Sequence, residues 1–346
     1  MSIRDDFEKI IERVQINSST PQVEIDRQCM PMIQFLRTNI PEQLFKFRAC
    51  ADYSIEAFEM NQLWLATADS YNDIHDSLLY IDKNAILDSI RNTISYEKLP
   101  SAIEMMKQMQ NLSSDFLKVT MNLLSSIKND QFTGFVERSM SNLDQYMDQC
   151  FSHIKNNIRN HRKMVCLSEN IKSPLMWAHY ANYHKGFALG YDFRNNEITQ
   201  CSNCSNRSCV NLKAGMIYPV IYSDKRYNVT KYGQWIIQQQ INRMLGTYVE
   251  ETYDDEFLFT KAALYKSNDW SYEAEWRMIC STPNSVIEQQ RSYSINKRPV
   301  AIYFGCQIPK FYKKMLMRIA DEKNIPRYQM YVKDYSSKYE LDYRPI

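Results

Sequence analysis

Residues 270–277 read WSYEAEWR. Glu273 and Glu275 stand two apart, and Arg277 follows two later. On a strand, alternate residues share a face. Ser271, Glu273, Glu275 and Arg277 then lie on one side, within about 14 Å of one another. Trp270, Tyr272, Ala274, Trp276, Met278 and Cys280 form an almost wholly apolar opposite side. One reading is a half-buried strand whose charged outer face is solvated and self-paired. The other is chemical. One carboxylate binds a sugar hydroxyl while its neighbour stabilises an oxocarbenium-like centre or takes a proton.

Other stretches could complete such a site. In LFKFRAC (44–50), Lys46 and Arg48 share one strand face, which suits a phosphate or carboxylate partner or a plain solvated edge. In MWAHYANYHKG (176–186), His179 and His184 are five apart, a poor spacing for a helical metal pair. With Trp177, Tyr180 and Tyr183 they suit hydrogen bonding and ring stacking, or ordinary packing. Asn72, Asp73, His75 and Asp76 cluster after a strand, as an Asx turn or as the polar mouth of a site. FALGYDF (187–193) places Ala188, Gly190 and Asp192 on one face. A glycine there marks close approach of a ligand or of another part of the chain. CSNCSNRSC supplies Cys201, Cys204 and Cys209, but a structural zinc needs a fourth ligand and none is nearby. The expectation is a reduced loop without zinc.

The elements that must position these residues follow from periodicity. Residues 1–40 form an N-terminal helical extension, with Phe7, Ile10, Ile11 and Val14 at helical spacing and Pro31 and Pro41 closing it. A strand–helix–strand unit follows, with Ser54 as a helix cap. Residues 82–160 read as a helical insertion of two or three long helices, in which Met105, Met106, Met109 and Met121 are core. From 161 onward strands return, including SYEAEWRMICS, FALGYDF and two strands at the end of the chain. Residues 41–81 and 161–346 together make one catalytic-type domain. The fold class is α+β, with a mixed, mostly antiparallel split sheet.

Composition narrows the function. The chain has 346 residues and a net charge of +2, so neither nucleic acid nor membrane is favoured globally. It lacks a long apolar run, and its nine scattered cysteines suit reduced thiols in the cytoplasm. Seven glycines include neither a G-x-G-x-x-G nor a P-loop, so any nucleotide must be held another way.

Leu44–Arg48, Leu63–Asp73, Met176–Gly186 and Trp270–Arg277 together resemble the signature of a bacterial domain family of unknown function. Its pattern runs LYKYR, LW…ND, MWxHYAxxHxG and WxYExEWR, and covers about residues 42–80 and 163–346. Members are often found near phage-defence or toxin genes. A more distant similarity is to the ADP-ribosyltransferase fold, which grips NAD without a glycine-rich loop and ends in an E-x-E or Q-x-E motif. The His-x-Thr of its first strand and the Ser-Thr-Ser of its middle strand are missing here. That resemblance implies an ADP-ribosyltransferase-like toxin or phage-defence effector, with NAD as substrate. Glu275 would stabilise the ribosyl cation and Glu273 would activate a protein or nucleic-acid acceptor. Lys46 and Arg48 would hold pyrophosphate. Trp177, His179, Tyr180, Tyr183, His184 and Arg277 would line the cofactor site, and Asn72 and Asp73 a substrate loop. Two alternatives stand beside it: a hydrolase or nuclease built on His179, His184 and the 72–76 cluster, and a non-catalytic defence module that senses a nucleotide, or a phage or regulatory protein, through 82–160.

Overall fold

The computed structural model describes residues 2–108, 115–194, 217–244, 251–281 and 293–346. The Cys201–Cys209 loop and the side chains of Met105, Met106, Met109 and Met121 lie outside the described residues.

Helix α1 (Ile3–Ile11) begins with a reciprocal cap between Ser2 and Asp5 and buries Phe7 and Ile11. Helix α2 (Gln22–Asn39) continues past Pro31, which does not end it. Its inward residues Met32 and Leu36 sit beyond the proline and keep that part docked. Strand β1 (Leu44–Arg48), helix α3 (Asp52–Glu59) and strand β2 (Gln62–Thr67) form the expected unit. Ser54 is not the cap. The helix starts two residues earlier, Ala51 holds the cap position, and Ser54 is buried in the first turn.

Four helices follow: α4 (Lys83–Thr93), α5 (Leu99–Gln108), α6 (Asp115–Ser126) and the long α7 (Asn129–His161). Helix α7 delivers Met147, Phe151, Ile154 and Ile158 to a core shared with Ile81, Ile86 and Ile237. The 82–160 region is therefore joined to the rest through packed side chains.

The site-bearing elements come next. They are β3 (Arg162–Ser168), α8 (Pro174–Tyr180), β4 (Phe187–Tyr191), β5 (Ile217–Pro219) and β6 (Ile221–Ser223). Helices α9 (Thr230–Met244) and α10 (Leu258–Ala262) lead to β7 (Tyr265–Ser267) and β8 (Glu275–Ser281). Strands β9 (Tyr293–Asn296) and β10 (Ala301–Phe304), helix α11 (Lys310–Glu322), and β11 (Arg327–Val332) and β12 (Leu341–Pro345) complete the order.

Among the described residues one ten-stranded sheet runs β12-β11-β10-β4-β1-β3-β2-β9, with β8 on β3 and β5 on β8. Within it β10 and β11 are parallel and the other pairs antiparallel. The fold is thus α+β with a mixed, mostly antiparallel sheet. The sheet opens at its middle, because β1 and β3 pair only at Phe45 and Ser168. As β1 departs, Lys46 Nζ takes the Cys166 carbonyl at 2.9 Å. One face of the sheet packs Leu44, Phe187, Leu189, Tyr191 and Trp276 with α1, α2 and α3; the other packs Phe45, Phe47, Ala188 and Tyr303 with α8.

The 176–186 segment is fixed by close backbone approach. Asn182, Tyr183 and His184 all adopt positive φ, turning the chain from α8 into β4. A Cβ on Gly186 would lie 2.1 Å from the Arg48 carbonyl and 2.9 Å from that of Ala181. Gly190 meets the Gln43 side chain, where a Cβ would stand 2.6 Å from Oε1. Gly186→Ala is expected to cost about 1–3 kcal/mol, because backbone must move to admit the methyl. Urea unfolding checks this; an unchanged midpoint would contradict the packing account.

Candidate functional site

Glu273 and Glu275 are not neighbours on one strand. Residues Asn268–Glu273 form a 3-10 turn, and Ala274 sits in the left-handed region at φ 45°. Strand β8 starts only at Glu275. The kink is held on both sides. Ser168 Oγ donates to the Glu273 carbonyl at 2.6 Å, the Glu169 amide donates to the Ala274 carbonyl at 3.1 Å, and the Trp276 indole N–H donates to Glu169 at 2.7 Å. A positive φ at a non-glycine residue is costly, so the surrounding bonds must impose it. The consequence is convergence. Both carboxylates meet Lys266, Glu273 Oε2 at 2.5 Å and Glu275 Oε2 at 3.0 Å.

The opposite side of Glu275 faces Arg277. Arg277 Nε donates to Glu275 Oε1 at 2.8 Å, and its terminal nitrogens donate to Asp76 at 2.9 and 2.5 Å, to Glu275 Oε2 at 3.1 Å and to the Ala263 carbonyl at 2.7 Å. Those five bonds use every donor the guanidinium has. Arg277 is 0% exposed. It therefore has nothing left for a cofactor, and the expected ligand role is corrected to a structural one. The solvated charged face is corrected too, since Glu273, Glu275 and Arg277 are all buried.

Asp76, Arg277, Glu275, Lys266 and Glu273 make one buried series with three negative and two positive charges. Lys46 lies within electrostatic reach of both glutamates. Burial pushes the Glu275 carboxyl up, but Arg277 and Lys266 overcome this and hold it well below the usual range. Burial lowers the Lys266 ammonium, yet Glu275 and Glu273 raise it above its ordinary value. Glu273 is shifted the other way from its partner. Burial and then the Glu275 charge raise its carboxyl. The two acids are thereby separated in acidity by their surroundings.

Glu273 is also the member that reaches outward. Its Oε1 accepts from the half-buried Tyr180 hydroxyl at 2.5 Å, and exposed Asn72 meets that hydroxyl at 3.2 Å. Tyr180 ends α8, which is started by Ser173 capping the Met176 amide and by Pro174. Burial and the Glu273 charge push the Tyr180 hydroxyl well up, so it is a donor at neutral pH. Tyr272 lies 6.0 Å from both the His179 and Trp270 rings. The rim around Glu273 is thus aromatic.

The remaining expected residues fall in different places. Trp177 is fully buried, donates its indole N–H to the Ile171 carbonyl and packs edge-on against Phe47. It serves the core and cannot stack on a ligand. Tyr183 is exposed on the turn. His184 is half-buried, which lowers its imidazole, and its backbone bonds Trp177 and Gln307. His179 and His184 do not converge on a shared partner among the described residues. Asp73 is buried, with one carboxylate oxygen on the His75 amide and the other without a hydrogen-bond partner. Arg48 is half-buried on β1 opposite Phe187, and burial lowers its guanidinium from the ordinary value. Among those residues no group of three His, Cys, Asp or Glu side chains is placed to hold a metal ion, and no helix is long and apolar enough to cross a membrane.

Residue-by-residue reading missed Lys266 and the partnership of Asp76. Lys266 sits in a three-residue strand, Tyr-Lys-Ser, without a motif of its own. Its only signal was a lysine two residues before the NDWSYE turn.

Residues 176–278 match the model of a family described as "Protein of unknown function (DUF2971)". No curated protein and no solved structure matches the chain. The matched stretch carries Tyr180, Lys266, Glu273, Glu275 and Arg277, whereas Asn72, Asp76 and Lys46 are supplied from outside it.

The two acids should differ sharply in unfolding experiments. Glu275→Gln leaves Arg277 and Lys266 short of a buried counter-charge and is expected to cost about 3–5 kcal/mol. Glu273→Gln is expected to cost about 1 kcal/mol or less at neutral pH, because Lys266 keeps Glu275. The folded Glu273 carboxyl titrates above the unfolded one. The folded state holds the extra proton in between, and stability falls as pH rises from about 4.5. Glu273→Gln should remove that decline. Equal stability of Glu275→Gln and wild type would contradict the assignment.

Proposed function

We propose that the protein transfers ADP-ribose from NAD to an acceptor, with Glu273 rather than Glu275 as the carboxylate beneath the reacting ribose. The observation that carries this is the outward position of Glu273, which is linked through Tyr180 to exposed Asn72 while Glu275 stays locked between Arg277 and Lys266. Breaking the bond between nicotinamide and ribose sends the electron pair to nicotinamide and builds positive charge at the anomeric carbon. The Glu273 carboxylate, already fixed by Lys266 and Tyr180, faces that charge without reorganising. The acceptor, a protein or nucleic-acid group, then attacks the same carbon, and its proton passes to the Glu273–Tyr180 pair.

Other residues support the reading. Tyr272, Trp270 and His179 offer ring surfaces for nicotinamide or adenine. The scarcity of glycine agrees with a nucleotide held by side chains.

Chromatography of nicotinamide released from NAD tests the proposal. Wild type should release nicotinamide. Glu273→Gln should slow release by about 100-fold or more, and Tyr180→Phe by roughly tenfold, with both variants folded. No release by wild type, or wild-type rates in Glu273→Gln, would refute it.

A further inference from the structure

Helix α1 lies outside the family-matched stretch, yet it touches both sides of the central ion pair. Arg4 enters first. Its Nη1 donates to the Val220 carbonyl at 2.7 Å and to the Glu275 carbonyl at 2.8 Å. Its guanidinium stands over the Tyr222 ring at 5.2 Å and faces Glu169 at 3.5 Å. Tyr222 accepts the Glu275 amide on its hydroxyl at 2.8 Å. The main chain of Glu275 is therefore gripped at both its N–H and its C=O by side chains that Arg4 holds together.

One turn further along, the same helix grips the neighbour of Lys266. The Tyr265 hydroxyl donates to Glu8 at 2.8 Å, with the Glu12 carboxylate 3.3 Å away. Tyr265 directly precedes Lys266 on β7. Beyond the helix, buried Lys261 takes the Val14 carbonyl at 2.5 Å, and the Glu256 amide takes the Ile16 carbonyl at 2.8 Å. The segment is thus tied down at its far end as well. Helix α1 is thus bonded to β7 through Glu8 and to the start of β8 through Arg4, alongside the main-chain bonds that Val220 and Ile221 make to Glu275 and Leu264.

We propose that α1 is a built-in part of the site and that Arg4 is a positioning residue, holding the Glu275 main chain so that Lys266 can bridge Glu275 and Glu273. The role in turnover rests on the ADP-ribosyl transfer reading; the positioning itself does not. Arg4 touches no reacting atom. Its effect passes through the strand, because a loosened β8 start would lengthen the Lys266 contacts and leave Glu273 less stabilised as an anion.

The test compares Arg4→Met and Arg4→Lys in the full chain by carbon-13 NMR of labelled glutamate carboxyls, with no ligand present. Arg4→Met should move the Glu273 titration to higher pH, and Arg4→Lys should restore most of it, since lysine can still donate to the two carbonyls. Nicotinamide release should fall roughly tenfold in kcat with little change in KM in Arg4→Met, and recover in Arg4→Lys. A lower melting temperature with an unmoved Glu273 titration would overturn the proposal. If wild type leaves NAD intact but Arg4→Met still shifts Glu273, the positioning role stands and the reaction assigned above falls.

Discussion

Five ionisable side chains withdrawn from water together constrain the rest of this structure. Asp76, Arg277, Glu275, Lys266 and Glu273 are each at most 8% exposed. Charges so placed are tolerated only where each meets an opposite charge and its remaining donors or acceptors are filled. That condition accounts for several otherwise odd features: the left-handed Ala274, the short β7 placed to deliver one lysine, and the loop that returns Asp76 to the inner end of the series. A chain that simply continued a strand through residue 274 would send Glu273 and Glu275 to the same side but leave Lys266 unable to reach both in this way.

Depth along the series separates the roles of the two glutamates. Glu275 has both oxygens committed to cations and an acidity held low by them. It is a fixed charge. Glu273 has one cation and one hydroxyl, a raised acidity, and Tyr180 and Asn72 between it and the surface. A working carboxylate needs access and a titration that its neighbours can adjust. Only the outer one is linked to the surface, through Tyr180 and Asn72, and has the raised acidity. The inner one contributes by keeping Lys266 charged and the strand start rigid.

Much of the fold was legible in the sequence, and the reasons are physical. The period of β1, β3, β4 and β10 follows from alternating or wholly apolar runs, so Leu44–Arg48 and Phe187–Tyr191 came out near their observed limits. The identity of the charged cluster was legible as well, since Glu273, Glu275 and Arg277 stood out by type and spacing. What the alternation rule missed was the backbone break at Ala274, because an alanine carries no turn signal. An unbroken strand therefore left a solvated face open as one reading for three charges that are in fact buried. Lys266 and Arg4 were invisible for a different reason. Arg4 acts onto a residue 271 positions away, and Lys266 reaches 9 positions across a turn that no motif announces. Trp177 was misjudged as a stacking surface because an aromatic beside two histidines looks the same in sequence whether it faces a ligand or the core.

The division of labour between the two glutamates can be seen in a crystal structure with bound ADP-ribose. A ribose hydroxyl or the anomeric carbon should lie against the Glu273–Tyr180 pair, with Glu275 still paired to both Arg277 and Lys266. A structure in which Glu275 leaves Arg277 to touch the sugar, or in which the ligand binds away from Glu273, would contradict it.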